Sequence, residues 1–185
     1  MRLFWFNVKS VPENIEISTL RCVLRALCET DIPGIVSAMG DPGIADAVRW
    51  SLPRDTVGLF TVIRASEARW RAGSGFHFSI LARAGGNLLG GVQLRQEPRA
   101  RDWNIGFWIS RLHWGQGYAV EAARAATEFA FQDLRALTVR AACLAENIQS
   151  RRVIEKLGMR FNRQLAAGVG VQGWGSEYEY AIEKN

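Results

Sequence analysis

"WISRLHWGQGYAVEAARAATEFAF" runs from Trp108 to Phe131, with a glycine on each side of Gln116 directly ahead of an alanine-rich stretch. Two glycines there cost conformational entropy unless the backbone itself is wanted for something. From Tyr118 onward, Ala119, Ala122, Ala126, Phe129 and Ala130 recur at the spacing that gathers them on one helical face. Just upstream, "DWNIGFWIS" (Asp102 to Ser110) is rich in aromatic and β-branched residues and reads as a strand. A helix that begins after a glycine-rich turn leaves several backbone N–H groups unpaired, and together with the helix dipole they suit an anion. Gly115, Gln116, Gly117, Tyr118 and Ala119 supply those amides, and Gly117 lets a phosphate approach the main chain without meeting a β-carbon. The plainer alternative is a loop with one glycine for its turn and alanines for close helix packing.

The flanking residues narrow the phosphate compound. A nucleotide-hydrolysing loop needs Lys and then Ser or Thr after its last glycine, and none follows Gly117. A dinucleotide fingerprint needs a strand running straight into the first glycine, but "RLHW" intervenes and Val120 stands where a third glycine or alanine belongs.

Working outward, "TLRCVLRAL" (Thr19 to Leu27) reads as a strand in which Leu20, Cys22 and Leu24 alternate with polar positions. "ETDIPGIVSAMG" (Glu29 to Gly40) follows as a helix that Thr30 or Asp31 can cap, with Pro33 near its first turn. Arg54 to Ala72 carries apolar residues at mixed helical spacing and is a second helix. "FHFSILAR" (Phe76 to Arg83) and "NLLGGVQLR" (Asn87 to Arg95) are strands joined by a glycine turn into a hairpin. After the quoted helix, "ALTVRAACLA" (Ala136 to Ala145) is a strand and "NIQSRRVIEKLG" (Asn147 to Gly158) a helix that Gly158 stops. "MRFNRQ" (Met159 to Gln164) and "SEYEYAIEK" (Ser176 to Lys184) complete the strands. A central antiparallel hairpin followed by a strand-helix-strand crossover gives an α/β (α+β) class: one mixed, mostly antiparallel sheet with helices on both faces. Residues 1–18 are an N-terminal extension and 19–185 a single domain.

With 48 % apolar and 22 % charged residues, the chain has the mix of a globular protein with its own core. Its formal charge of +5 is spread over scattered arginines without a nucleic-acid signature, so a basic surface favouring a small anionic ligand is expected and no nucleic acid. Cys22, Cys28 and Cys143 are odd in number, without a CxxC or a nearby histidine pair, which speaks against a disulfide framework and a zinc site. A reducing, cytoplasmic setting is expected, and "MRLFWFNV" is too short for a membrane anchor.

"WGQGYAVEAARAATEFAF", "LTVRAACLAEN" and "NIQSRRVIEKLGMRF", in that order, resemble the GNAT superfamily of acyl-CoA-dependent N-acyltransferases, most closely the branch that acetylates N-terminal residues of ribosomal proteins. The resemblance runs from "TLRCVLRALCETDIPGI" to "YEYAI", nearly all of the chain after the extension. It implies acetyl-CoA as cosubstrate, no metal, an amine acceptor and room for a homodimer. The family's turn pattern falls on Trp114, Gly117 and Ala119; Trp114 departs from the usual Gln or Arg, although this branch commonly carries an aromatic there. The resemblance implies that the amides from Gly115 to Ala119, through Gln116, Gly117 and Tyr118, hold the CoA pyrophosphate. It also implies that the strand ending at Ile109 splays from its neighbour, leaving the Ile109 N–H to stabilise an oxyanion. Asn147 and Ser150 match the family's N-x-x-S: Asn147 toward the pantetheine arm, Ser150 toward the departing thiolate, with helix capping as a compatible second role for Asn147. Many relatives place a tyrosine acid seven residues after that asparagine, where this chain has Ile154.

The reaction read here is direct attack of a primary amine on acetyl-CoA in a ternary complex, the amine being a protein α-amine. The alternatives are a polyamine or aminoglycoside as acceptor, or a module that binds acyl-CoA without turnover. No cysteine lies in the turn, so a thiol nucleophile has no support. The base is left unnamed: Glu177 and Glu179 share one side of their strand, as a base acting through water or as solvent-facing residues. His113 is structural or phosphate-adjacent, Glu146 a surface or capping residue, and Arg111, Arg151 and Arg152 flank the two CoA segments. Trp50, Trp70, Trp103 and Trp174 line an acceptor pocket or pack in the core.

Overall fold

The computed structural model describes residues 15–44, 53, 55–166 and 176–184. Its elements are β1 (Glu16–Ser18), β2 (Cys22–Ala26), α1 (Ile32–Met39), α2 (Thr56–Arg71), β3 (Gly75–Ala82), β4 (Leu88–Gln96) and β5 (Asp102–Ile109). There follow α3 (Tyr118–Gln132), β6 (Thr138–Leu144), α4 (Ile148–Lys156), β7 (Arg160–Leu165) and β8 (Glu177–Glu183). Among the described residues, eight strands form one sheet in the order β1-β2-β3-β4-β5-β6-β8-β7. Every neighbouring pair is antiparallel except β5 with β6, which are parallel because α3 carries the chain back across the sheet between them. Glu16–Ser18 is the edge strand that pairs with β2, so sheet structure reaches into the segment set apart by sequence as an extension.

Alternation sorts the side chains onto two layers. Leu24, Phe76, Phe78, Val92, Leu94, Ile105 and Val139 meet Ala122, Ala126 and Phe129 of α3 and Ile154 of α4 in one core. On the opposite face, Ile32, Ile35 and Met39 of α1 and Leu59 and Ile63 of α2 close over Leu27 and Trp108. The alanines of α3 let its backbone lie close to the sheet, as their spacing predicts. Gly91 serves the other face by having no side chain, since a β-carbon there would stand 2.6 Å from Nε1 of Trp108. Trp70 and Trp103 belong to an aromatic cluster with Phe76, Phe78 and Phe129, which settles both as core residues. Trp50 and Trp174 lie outside the described residues.

Asp31 differs from its reading as a helix cap. Its side chain caps nothing in α1; it is 4 % exposed and accepts from both Arg25 terminal nitrogens at 2.8 and 2.7 Å, from Ser79 Oγ at 2.6 Å and from the Cys28 N–H at 3.0 Å. Burial pushes its pKa up, but the hydrogen bonds from Arg25, Ser79 and Cys28 outweigh that, and the net shift is downward. His77, two residues from Ser79 on the same strand face, is also buried. Desolvation and the nearby Arg69 charge press its pKa down to about 4, against a weaker opposing pull from Asp31.

These two groups give the acid limb of stability a definite shape. His77 is neutral when folded and takes up a proton on unfolding below pH ~6.5, so stability falls from about pH 6.5 to about pH 4 and then levels, losing roughly 3 kcal/mol. Asp31 contributes stability that is full above its unfolded value of about 3.9 and is lost as pH falls through its lower folded value. Urea melts at pH 7, 5.5 and 4.5 should show the first decline in the wild type and a flattened one in His77→Gln; equal slopes would refute the assignment. Asp31→Asn should cost about 3 kcal/mol at pH 7, because it removes the buried carboxylate to which Arg25, Ser79 and the Cys28 N–H all donate.

Candidate functional site

The site is built where β5 and β6 part. Their parallel pairing covers only Asp102↔Thr138, Trp103↔Val139 and Asn104↔Arg140. Beyond it, Ile105 to Ile109 stay with β4 and Ala141 to Leu144 stay with β8, and the two strands run on without pairing to each other. Ser110 N donates to Leu89 O at 2.8 Å, and successive antiparallel residues point their polar groups to alternate edges, so the N–H and C=O of Ile109 turn away from β4 toward this gap. The carbonyl is taken: Trp114 Nε1 donates to Ile109 O at 2.6 Å. The N–H faces no acceptor among the described residues.

Both helices that follow these strands begin at the same edge, outside the carboxyl ends of the parallel pair, where α/β sheets hold their ligands. A short 3₁₀ turn (Arg111–His113) leads to Trp114, then Gly115 at φ +74° and Gly117 at φ +84° as the N-cap of α3. A β-carbon on Gly115 would touch nothing within 4 Å and one on Gly117 only Arg21 Nη2 at 3.5 Å, so the left-handed backbone rather than crowding demands glycine at both. Glu121 N donates to Gly117 O at 3.1 Å. The amides of Gly115, Gln116, Gly117, Tyr118, Ala119 and Val120 donate to no acceptor among the described residues. Six N–H groups at one helix start form a cradle for an anion of more than one phosphate.

At the second helix start, Asn147 is the N-cap of α4, its Oδ1 accepting from Ser150 N at 2.9 Å. That fixes the asparagine and leaves its Nδ2 without an acceptor among the described residues. The half-buried Ser150 hydroxyl makes no hydrogen bond among the described residues. Ile154, at the position where the resemblance calls for a tyrosine, is 1 % exposed inside the core and offers no proton. Arg124 of α3 ties the two helices by donating from Nη2 to Lys156 O at 2.8 Å.

The remaining sequence candidates separate. Arg111 stacks 5.4 Å over the Trp114 ring and pairs with Asp41 at 3.5 Å; Arg151 pairs with Glu155 at 3.8 Å, and Arg152 is exposed. His113 meets Tyr118 edge-on with ring centroids 6.1 Å apart, and Glu146 is exposed. Glu177 and Glu179 share a face as expected, but neither faces solvent: they are 5 % and 7 % exposed. Glu179 accepts from Asn162 at 2.6 Å and Arg163 at 3.0 Å, with Arg140 at 3.6 Å, so it serves as the counter-ion of two arginines. Residues 45–52 and 167–175 lie outside the described residues. Among the described residues no cluster of three His, Cys, Asp or Glu could hold a metal, and no helix is long and apolar enough to cross a membrane. Sequence reading missed Arg21, which reaches this site from the other end of the domain. Its Nη1 donates to Gln116 O at 2.9 Å and its Nη2 lies 2.7 Å from Glu121 Oε2.

Residues 21–160 match the family model described as an acetyltransferase (GNAT) domain. Among curated proteins, the chain is 32 % identical over 109 residues to the uncharacterized N-acetyltransferase YnaD of Bacillus subtilis (strain 168), a match covering 57 % of this chain and 62 % of the relative. The match therefore spans somewhat less than two thirds of that relative's length. Among solved structures, RimJ of Mycobacterium smegmatis in complex with CoA-disulfide superposes with a TM-score of 0.74 at 19 % identity, over 88 % of this chain and 81 % of that one. Ribosomal-protein-S5-alanine acetyltransferase from Vibrio fischeri superposes with a TM-score of 0.78 at 13 % identity, over 92 % and 97 %. At such identities these two likenesses establish the fold.

The thiols make a direct test of this geometry. Cys22 is fully buried, and Cys143 is 6 % exposed with its thiol pushed up to about 11, by burial first and by Glu177 and Glu155 against the pull of Arg151. Only Cys28 is part-exposed. At pH 8 a disulfide reagent should titrate one thiol rapidly in the native protein, and Cys28→Ser should remove it; a second rapid thiol would contradict the packing of β2 or β6.

Proposed function

Because the chain belongs to the GNAT acetyltransferase family, we propose that it transfers the acetyl group of acetyl-CoA to a primary amine by direct attack in a ternary complex. The observation that carries this is the row of six unpaired amides at the start of α3 beside strands that part after three residue pairs. A diphosphate satisfies the amides, and an extended pantetheine satisfies the open strand edges.

Acetyl-CoA supplies an activated acyl thioester when bound. The amides of Gly115, Gln116, Gly117, Tyr118 and Ala119 hold its diphosphate, Trp114 shapes the turn by anchoring to Ile109 O, and Asn147 turns its free amide donors to the pantetheine arm. The Ile109 N–H, pointed into the gap, stabilises charge developing on the thioester oxygen. Ser150, whose hydroxyl is uncommitted, donates a hydrogen bond to the thiolate as the carbon–sulfur bond breaks. With Ile154 in the core, this role passes to no tyrosine at that position.

The acceptor best matched to a site without an identified base is an α-amine at a protein N-terminus. An α-amine of pKa about 8 is unprotonated in about one molecule in ten at neutral pH, against about one in a thousand for a lysine-like amine. The fold likeness to a ribosomal-protein-S5-alanine acetyltransferase supports the same choice. Thiol release from acetyl-CoA with a panel of short peptides and a panel of polyamines and aminoglycosides tests the reading. Turnover confined to peptides is expected; turnover confined to small amines would replace the acceptor class, and binding without turnover would make the chain an acyl-CoA-binding module.

Two substitutions probe the roles. Gly117→Val forces a β-branched residue into the left-handed region and should weaken CoA binding by about 100-fold or more, roughly 3 kcal/mol; an unchanged dissociation constant would refute the placement. Ser150→Ala should lower kcat by on the order of tenfold or more with little change in KM for acetyl-CoA. An unchanged kcat would remove Ser150 from the chemistry.

A further inference from the structure

Arg21, in the bend between β1 and β2, spends its whole side chain on the glycine turn and the first turn of α3. Its Nη1 donates to Gln116 O at 2.9 Å, and its Nε donates to Glu121 Oε2 at 2.7 Å. Its guanidinium lies 4.5 Å over the Tyr118 ring, and its backbone N–H donates to Glu121 Oε1 at 2.7 Å. Thr19 adds a hydroxyl to the same carboxylate oxygen at 2.7 Å. These contacts join residues about a hundred positions apart in sequence.

Two physical consequences follow for the six amides. In a trans peptide the C=O of one residue and the N–H of the next point in opposite directions, so holding Gln116 O outward turns the Gly117 N–H inward. Gly117, at φ +84° and without a side chain, leaves that peptide plane free to rotate, and a rotated plane would present a carbonyl oxygen to the anion. Glu121 is the second consequence. A carboxylate in the first turn suits the helix dipole but repels a phosphate placed at the same helix start. Burial resists its ionisation; hydrogen bonds from Thr19 and Arg21 outweigh this and keep it a carboxylate.

We propose that Arg21 is the positioning residue of the phosphate turn: by clamping Gln116 O and neutralising Glu121, it aims the Gly117 N–H at the diphosphate and removes the repulsion that Glu121 would exert on it. The proposal rests on reading this turn as the CoA diphosphate site. It predicts that Arg21 acts on the phosphate-bearing half of the cosubstrate and not on the thioester half.

The test compares acetyl-CoA with S-acetylpantetheine, which has the thioester arm and no diphosphate, in wild type, Arg21→Met, Glu121→Gln and the double variant. Methionine keeps the apolar contact with Tyr118 and removes the charge. Arg21→Met should raise KM and Kd for acetyl-CoA about tenfold with kcat at saturation near wild type, while kcat/KM for S-acetylpantetheine changes less than about twofold. Glu121→Gln should bind CoA at least as tightly as wild type, and the double variant should bind it more tightly than Arg21→Met but less tightly than Glu121→Gln, the first gap reading the neutralised charge and the second the lost clamp on Gln116 O. A loss shared equally by both thioesters, a Glu121→Gln variant that binds CoA more weakly, or a double variant no better than Arg21→Met would each overturn the brace. Wild type that fails to bind CoA would overturn the functional reading and the brace with it; wild type that binds, with Arg21→Met of unchanged affinity, overturns the brace alone.

Discussion

Parallel pairing between β5 and β6 lasts for three residues and then stops, and the functional half of the molecule is organised by that interruption. Buried backbone polar groups must be paired, and a sheet that opens in its middle breaks that rule unless something else enters. The protein keeps each strand in order from its outer side. β4 holds β5 through Ile109, and β8 holds β6 through Leu144, so the gap is lined by rigid edges rather than by loose chain. Trp114 closes the one carbonyl at the tip by donating to Ile109 O. At the head of the gap what is left open is donors, the Ile109 N–H and the amides from Gly115 to Val120, while farther along β5 alternation turns both the N–H and the C=O of Phe107 toward it. Donors at the head of the gap and a strand edge with both donors and acceptors behind them match the proposed ligand, a diphosphate joined to an extended amide arm.

The two helix starts divide the work. That of α3 is stripped of side-chain caps by Gly117, so its amides are available to a ligand, whereas that of α4 is capped by its own Asn147. The difference is one of purpose: a capped helix start positions Ser150, and an uncapped one binds. Structural charges pair toward both edges of the sheet: Arg25 of β2 with Asp31 at the start of α1, and Arg140 of β6 and Arg163 of β7 with Glu179 of β8.

Local chemistry was legible in the sequence and long-range chemistry was not. The strand, glycine turn and helix from Asp102 to Gln132 stand where periodicity and glycine placement put them, as do the β3–β4 hairpin and the Asn147 cap. The parting of β5 and β6 carries no local mark, because it depends on which strands claim each edge. Asp31 reads locally as a cap beside Pro33, and only the fold brings Arg25 and Ser79 to it. Alternation told correctly that Glu177 and Glu179 share a side, but it cannot tell what covers that side, and both are buried. Arg21 gave no signal beyond standing in a stretch that reads as a strand, since its partners Gln116 and Glu121 come from the glycine turn and α3, about a hundred residues away in sequence. Glu121 carries the readable signal, a carboxylate in the first turn of the helix whose glycine-rich start suits a phosphate.

The central claim is that the free amides from Gly115 to Val120 receive the phosphates of CoA. Amide-resolved ¹H–¹⁵N NMR during a CoA titration tests it most directly. The account predicts large downfield shifts confined to these amides and to Ile109. Saturable CoA binding that leaves Gly115, Gly117 and Ala119 unmoved, with shifts elsewhere, would contradict it.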